Sequence, residues 1–185
     1  MAAPRTPRGA WIEQGLRALS AGGPDAVRVE VLAKSLGVTK GGFYGYFADR
    51  YALLAEMLKV WEHEVTDEII GRVEAAGGDA RQRLTRLRAI IDSGAGLLTD
   101  FSTDLAIREW ARRDPAVAAR LRRVDNRRLD YLRALYREFC PDEDEVEVRS
   151  LISYSLWITS HLIAADNGTR DPAEVRQLIR ERFMA

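Results

Sequence analysis

Cysteine is all but missing from this chain of 185 residues: Cys140 stands alone, so no intrachain disulfide framework can form. Also missing is a charged-then-apolar opening of the kind that directs secretion, and a cytoplasmic protein is expected. Neither sign of charge prevails, since 28 basic residues face 28 acidic ones. A chain balanced in this way does not coat nucleic acid or anionic membrane indiscriminately, so any affinity for a polyanion has to be local. The one uncharged apolar run, LISYSLWITSHLIAA at residues 151 to 165, is shorter than the roughly 20 residues of a membrane span and is laced with Ser153, Ser155, Thr159, Ser160 and His161. No membrane association is expected. Catalytic signatures are lacking too: there is no glycine-rich phosphate loop and no nucleophile elbow, and neither His63 nor His161 has a recognisable nucleophile partner. In Glu62-His63-Glu64 three successive helical residues point in different directions, and no second histidine stands four residues away, so no metal site is expected. Neither enzymatic activity nor a cofactor is expected.

What the chain has instead is helical periodicity. No alternating strand pattern and no internal repeat occur, and the fold class expected is all-α with about nine helices. Residues 1 to 8 interleave Pro4 and Pro7 with Arg5 and Arg8 and read as a flexible basic arm. Trp11, Ile12, Leu16 and Leu19 mark a first helix that Gly22-Gly23-Pro24 stops. The segment VEVLAKSLGVTKGGFYGYFA, residues 29 to 48, then has the pattern of a helix-turn-helix. Leu32, Ala33 and Leu36 share a face of one short helix, Gly37 permits a left-handed turn, and Val38, Phe43 and Tyr46 fold a second helix back onto the first. Ala33 is small where the two helices cross, and the Thr39 hydroxyl can cap the amides of the helix that it opens. Residues 1 to 50 are mildly basic, so the local charge lies with the motif.

Asp49 caps a long fourth helix with the apolar line Leu54, Leu58, Trp61, Val65 and Ile69, ending near Gly77-Gly78. Leu84, Leu87, Ile91 and Leu98 mark a fifth, and Leu105, Ile107 and Trp110 a short sixth that Asp114-Pro115 terminates. A long seventh carries Val117, Leu121, Val124, Leu132, Leu135 and Phe139 at near-heptad spacing up to Pro141. Arg120, Arg122, Arg123, Arg127 and Arg128 on it are read as a solvated face paired in part by Asp125 and Asp130. The eighth begins in the acidic stretch at 142 to 147, which suits a helix N-terminus, and the ninth follows the Asp171-Pro172 cap with Val175, Leu178, Ile179 and Phe183 on one side. A helix apolar on nearly every face must be covered all round. A domain this small covers one side of it, so a second subunit is expected on the other, over Leu151, Ser155, Trp157, His161 and Leu162, with Leu178 of the ninth helix alongside.

The N-terminal helix, the helix-turn-helix, the segment GVTKGGFYGYFADR and an all-helical remainder resemble the tetracycline-repressor (TetR) family of bacterial transcriptional regulators. The scarcity of lysine, with Lys34, Lys40 and Lys59 beside abundant arginine, is a bias of GC-rich codon usage and agrees with a bacterial source. The likeness is specific over residues 10 to 58 and looser beyond, where it rests on helix count and the segment LAIREWARRDP. It implies a helix-turn-helix DNA-binding domain at residues 1–50 and a ligand-binding and dimerisation domain at 51–185. It further implies a homodimer, a double-stranded DNA operator as partner, and a small-molecule effector that releases the repressor from it. Position by position, Thr39 stands where the family caps its recognition helix and touches phosphate, Tyr44 and Tyr46 where it contacts the DNA backbone, and Arg50 where a lysine approaches a phosphate. There are two departures. Arg28 replaces the usual hydroxyl residue ahead of the second helix, a loss of about 1 kcal/mol unless another group caps it, and can instead reach a phosphate. Gly41, Gly42 and Gly45 each cost about 1 kcal/mol against alanine in a helix. Either they let the backbone approach DNA and leave Lys40 to read guanine edges, or they are unremarkable losses of contact. Trp61, Phe101, Trp110, Tyr154 and Trp157 lie on helices that the resemblance puts around an effector cavity, with Gly94-Ala95-Gly96 leaving space beside them. A helical small-molecule-binding module without DNA activity is the alternative.

Overall fold

The computed structural model describes residues 7–164 and 168–183, and among these no strand occurs. The helices are α1 (Arg8–Gly22), α2 (Val29–Ser35), α3 (Gly41–Tyr44), α4 (Arg50–His63), α5 (Ile69–Ala75), α6 (Ala80–Ser93), α7 (Phe101–Ala111), α8 (Pro115–Arg137), α9 (Glu143–Ser160) and α10 (Pro172–Phe183). A π-helical segment, Glu64–Glu68, joins α4 to α5 without a break, so the ten labels make nine rods among the described residues. None of these helices is long and apolar enough to cross a membrane.

Aspartate starts most of the later helices. The carboxylate of Asp49 accepts from the Ala52 amide at 2.8 Å, that of Asp79 from Gln82 at 2.9 Å and that of Asp100 from Thr103 at 3.0 Å. Asp114 accepts from Ala116 at 2.9 Å, and Asp142 from Asp144 at 2.9 Å. Each takes up a donor that the first helical turn leaves free. Gln82 returns a bond to the Asp79 amide at 3.0 Å, so the start of α6 is closed reciprocally. No side chain caps α1, α2 or α3.

The chain forms two compact units, Met1–Ala76 with Leu87–Asp125, and Gly77–Arg86 with Asn126–Ala185. In the first unit the helix-turn-helix shares one core with α4 and α7. Trp11, Leu16, Leu19, Leu32, Phe43, Leu53, Met57, Trp61 and Ile107 are all buried in that cluster. Gly15 lets α1 and α4 meet, since a Cβ there would lie 2.6 Å from the Met57 sulfur. The π segment is fastened in this unit: the Glu64 carboxylate accepts from the amides of Leu98 and Thr99 at 3.0 and 3.1 Å, and from the Thr99 hydroxyl at 2.8 Å. Arg72 holds the same loop by the carbonyls of Ala95 and Gly96, at 2.8 and 3.0 Å. Leu98, expected on the fifth helix, therefore lies in that loop and is exposed. Gly94 and Gly96, at φ 58° and 74°, turn the chain out of α6 before it.

In the second unit, Leu132, Leu135 and Tyr136 of α8 are buried, as are Val146, Ser150, Ser153 and Tyr154 of α9. The Tyr136 and Ser153 hydroxyls bond at 2.6 Å. Ion pairs border them, with Arg133 bidentate on Glu147 at 2.7 Å and Arg137 on Glu143 at 2.8 Å. Two arginines of α8 reach a carboxylate outside it. Arg108 of α7 pairs with Asp125, and in the same unit Arg120 and Arg123 reach Glu62 at 3.2 and 3.6 Å.

Candidate nucleic-acid interface

The turn between α2 and α3 closes as the sequence demands. Gly37 takes φ 67°, its amide donates to the Lys34 carbonyl, and the Val38 amide donates to that of Ala33. These two bonds are a Schellman turn, which only a residue tolerant of positive φ completes at low cost. Leu32 and Ala33 are buried under it.

Behind α3 stands an aromatic wall. Phe43 is fully buried, edge-on to Trp11 with centroids 5.4 Å apart, stacked on Phe47 at 5.2 Å and edge-on to Tyr44 at 5.3 Å. Such pairs add to area burial and fix orientation. The helix they hold has a single turn, Gly41–Tyr44. Three glycines within residues 41 to 45 account for its shortness, since each favours the unfolded chain over the helix. Its other face is open: Lys40, Gly41, Gly42, Tyr44 and Gly45 are exposed. Gly41 and Gly42 are not imposed by packing, for a Cβ would meet the Thr39 hydroxyl at 3.8 Å or the Trp11 edge at 3.9 Å, both ordinary contacts.

Several of the expected contact residues have partners or settings within the protein. The Thr39 backbone carbonyl accepts from the Gly42 amide at 3.0 Å, whereas no side-chain cap bond is made at the start of α3. Lys40 is ion-paired with Glu30 of α2, which raises its own pKa and lowers that of the glutamate. Tyr44 is 54 % exposed, as a backbone contact requires, but Tyr46 is half-buried against the core. Arg28 is exposed at the extended residue before α2 and caps nothing. Arg50 turns to the protein itself: its Nε donates to the Val27 carbonyl at 2.6 Å and its Nη2 to the Pro24 carbonyl, pinning the corner between α1 and α2 to the start of α4.

Three further residues here take part beyond those expected at the DNA. Glu30 holds Lys40. Tyr51 is 74 % exposed beside Arg50, whose guanidinium lies 5.9 Å from its ring centroid. Its signal is present in the sequence, as an aromatic off the apolar line of α4. Arg8 lies over the Phe47 ring at 5.1 Å and pairs with Glu56 at 2.5 Å. The remainder of the basic arm, with Arg5, falls outside the described residues.

The residues expected around an effector are divided between the units. Trp61, Phe101 and Trp110 belong to the first, where Trp61 is fully buried and its indole nitrogen has no hydrogen-bond partner. Tyr154 and Trp157 belong to the second, where Arg128 lies 4.8 Å over the Trp157 ring and donates to the Tyr154 hydroxyl at 3.3 Å. A cavity of about 230 Å³ lined by Arg81, Phe139, Cys140, Asp142 and Arg149 includes none of the five. Of the residues expected at a dimer contact, Leu151, Ser155, His161 and Leu162 are exposed, and Trp157 and Leu178 are half-buried.

Residues 12–57 match the family profile of bacterial regulatory proteins, tetR family. No curated protein sequence matches the chain. Among solved structures, the crystal structure of a Pseudomonas aeruginosa PAO1 protein described as a transcriptional regulator shares the fold. It is 21 % identical, with a TM-score of 0.66 over 97 % of this chain and 89 % of that one.

Proposed function

We propose, the chain being a member of the tetR family of bacterial regulatory proteins through residues 12–57, that it is a homodimeric repressor whose operator binding is released by a small molecule. DNA binding and transcriptional regulation follow from the family. The observation that carries the interface is α3, held from behind by Phe43 and Trp11 while Lys40, Gly41, Gly42 and Tyr44 face outward. In this reading α3 enters the major groove, Lys40 reaches base edges, and Thr39, Tyr44, Arg28 and Tyr51 lie toward phosphates. Tyr46 and Arg50 set the frame from which those residues reach out.

Dimerisation is supported by α9, where Val148 and Leu151 are half exposed along one face with Ser155 and Thr159 following at helical spacing, and Leu162 just beyond. An apolar face of this kind is what a symmetric contact with a second copy covers. Release by a ligand requires that the ligand prefer a dimer shape in which the two α3 helices no longer match the groove spacing. Trp61, with a buried indole N–H in need of an acceptor, is the residue through which we assign the contact, alongside Phe101 and Trp110. Residues 1–50 serve DNA in this scheme and 51–185 serve ligand and partner.

A randomised duplex pool passed over the purified protein tests the reading. Retention of a sequence-enriched fraction, weakening steeply with salt, is the expected result. A protein that retains no duplex at low salt is not a DNA-binding regulator. Within that assay Lys40→Ala is expected to alter the enriched sequence, and Tyr44→Phe to weaken binding to every sequence alike.

A further inference from the structure

Lys40 is the one cationic side chain at the start of α3, and it is not simply offered to solvent. Its ammonium is bound by the carboxylate of Glu30, ten positions earlier in the first turn of α2, with 48 % and 65 % of the two side chains exposed. The pair spans the helix-turn-helix on its outer side. It also places a full negative charge on the surface that the DNA-binding reading sets against a polyanion. An exposed carboxylate there opposes binding to any phosphate backbone, and it ties up the lysine best placed to gain from one.

We infer that Glu30 is a positioning residue that sets sequence discrimination through Lys40. While bound to Glu30, the ammonium gains little by moving to a single phosphate oxygen, which offers the same charge. A guanine edge is uncharged, so leaving Glu30 for it costs Coulomb energy, and only its two fixed acceptors, O6 and N7, offset that cost, as no other base edge can. Glu30 thus weakens binding to all DNA, and weakens it least where the right base lies opposite Lys40, the arrangement by which specificity is gained at the expense of affinity. The bland account is that Glu30 serves α2 alone, as a negative charge near a helix N-terminus that Arg28 leaves uncapped. The two accounts differ in whether Glu30 acts on DNA through Lys40. The inference rests on the DNA-binding reading above.

The test is a double-mutant cycle on the full chain, with wild type, Glu30→Gln, Lys40→Ala and the double variant titrated with random duplex and with the duplex enriched by wild type, at several salt concentrations. Glu30→Gln is expected to raise affinity for random duplex by roughly two- to fivefold, the span of an exposed ion pair. It should also steepen the slope of log K against log salt by about 0.9, one further phosphate contact, and narrow the ratio between enriched and random duplex. In the Lys40→Ala background the narrowing and the steeper slope are expected to vanish. Equal effects in both backgrounds overturn the inference, because the glutamate then acts by its own charge. A Glu30→Gln protein that melts at a lower temperature yet discriminates as wild type does also overturns it and leaves Glu30 to α2. Failure of the wild type to retain duplex is seen before any variant is made, and ends the DNA-binding reading together with this one.

Discussion

Arg50 illustrates how a single side chain can hold partners that its sequence reading does not name. The resemblance sets it at a phosphate, whereas its guanidinium donates to the carbonyls of Val27 and Pro24. Hydrogen bonds from a charged donor contribute about 1.5–3 kcal/mol, so Arg50→Ala is expected to lower unfolding stability by that order in a urea titration, alongside any loss of DNA affinity. Unchanged stability would show that the two carbonyls are served equally well by water. Gly42 argues in the other direction. A Cβ there meets the Trp11 edge at 3.9 Å and removes a helix-breaking residue, so Gly42→Ala should stabilise the fold by about 0.5–1 kcal/mol while binding to enriched duplex falls. A stabilised variant that binds as before would make the glycine a mere absence. The turn at Gly37 and the cap at Asp49 were legible in the sequence because their chemistry is local, within a few residues of the helix end. The anchor of Arg50 was not, since its partners are backbone carbonyls 23 and 26 positions away, and a carbonyl leaves no mark on a sequence.

Among the helices, α8 and α9 are joined by ion pairs whose acid response has a definite sign. Glu147 and Glu143 are held below the usual carboxylate range, chiefly by hydrogen bonds from Arg133 and Arg137. A carboxylate with a depressed pKa in the fold contributes stability above its unfolded pKa, and loses it as pH falls through the folded value. Glu147→Gln is accordingly expected to melt below wild type at pH 7 and to coincide with it once both glutamates are protonated at low pH. A gap that persists in acid would assign the effect to packing. Helix periodicity marked α9 as apolar on nearly every face, and of its residues Ser153 and Tyr154 are buried while Leu151 is 53 % exposed. Periodicity could not say which side the chain covers for itself. That choice depends on α8, whose Tyr136 hydroxyl selects Ser153.

For the whole molecule the proposed dimer gives the plainest test. Leu151→Arg puts a charge on the exposed face of α9 without touching the Arg128 stack on Trp157, so it is expected to sediment as a folded monomer where wild type sediments as a dimer. A variant that remains dimeric moves the contact off this face. An all-α architecture was legible from spacing and breakers, and the helix-turn-helix from residues 29 to 48, but the grouping of the described helices into units was not. Trp61 shows why: the apolar line Leu54, Leu58, Trp61 states which face is buried and is silent on which helices bury it.

The π segment bears on how this chain can change its length. Glu64–Glu68 holds one residue more than an α-helical course would need to carry α4 into α5, and Ile69 and Val73 beyond it are buried in register with that surplus. Loss of one codon between 64 and 68 would restore an ordinary helix and leave everything after it facing as before, since four α-helical residues turn the chain about as far as these five. Loss of one codon between 69 and 71 would instead turn Arg72 and Val73 by about 100°. Arg72 would then lose the carbonyls of Ala95 and Gly96, and Val73 would leave the core. Single-residue deletions among its descendants should therefore collect between residues 64 and 68, and spare the stretch from 69 to 75.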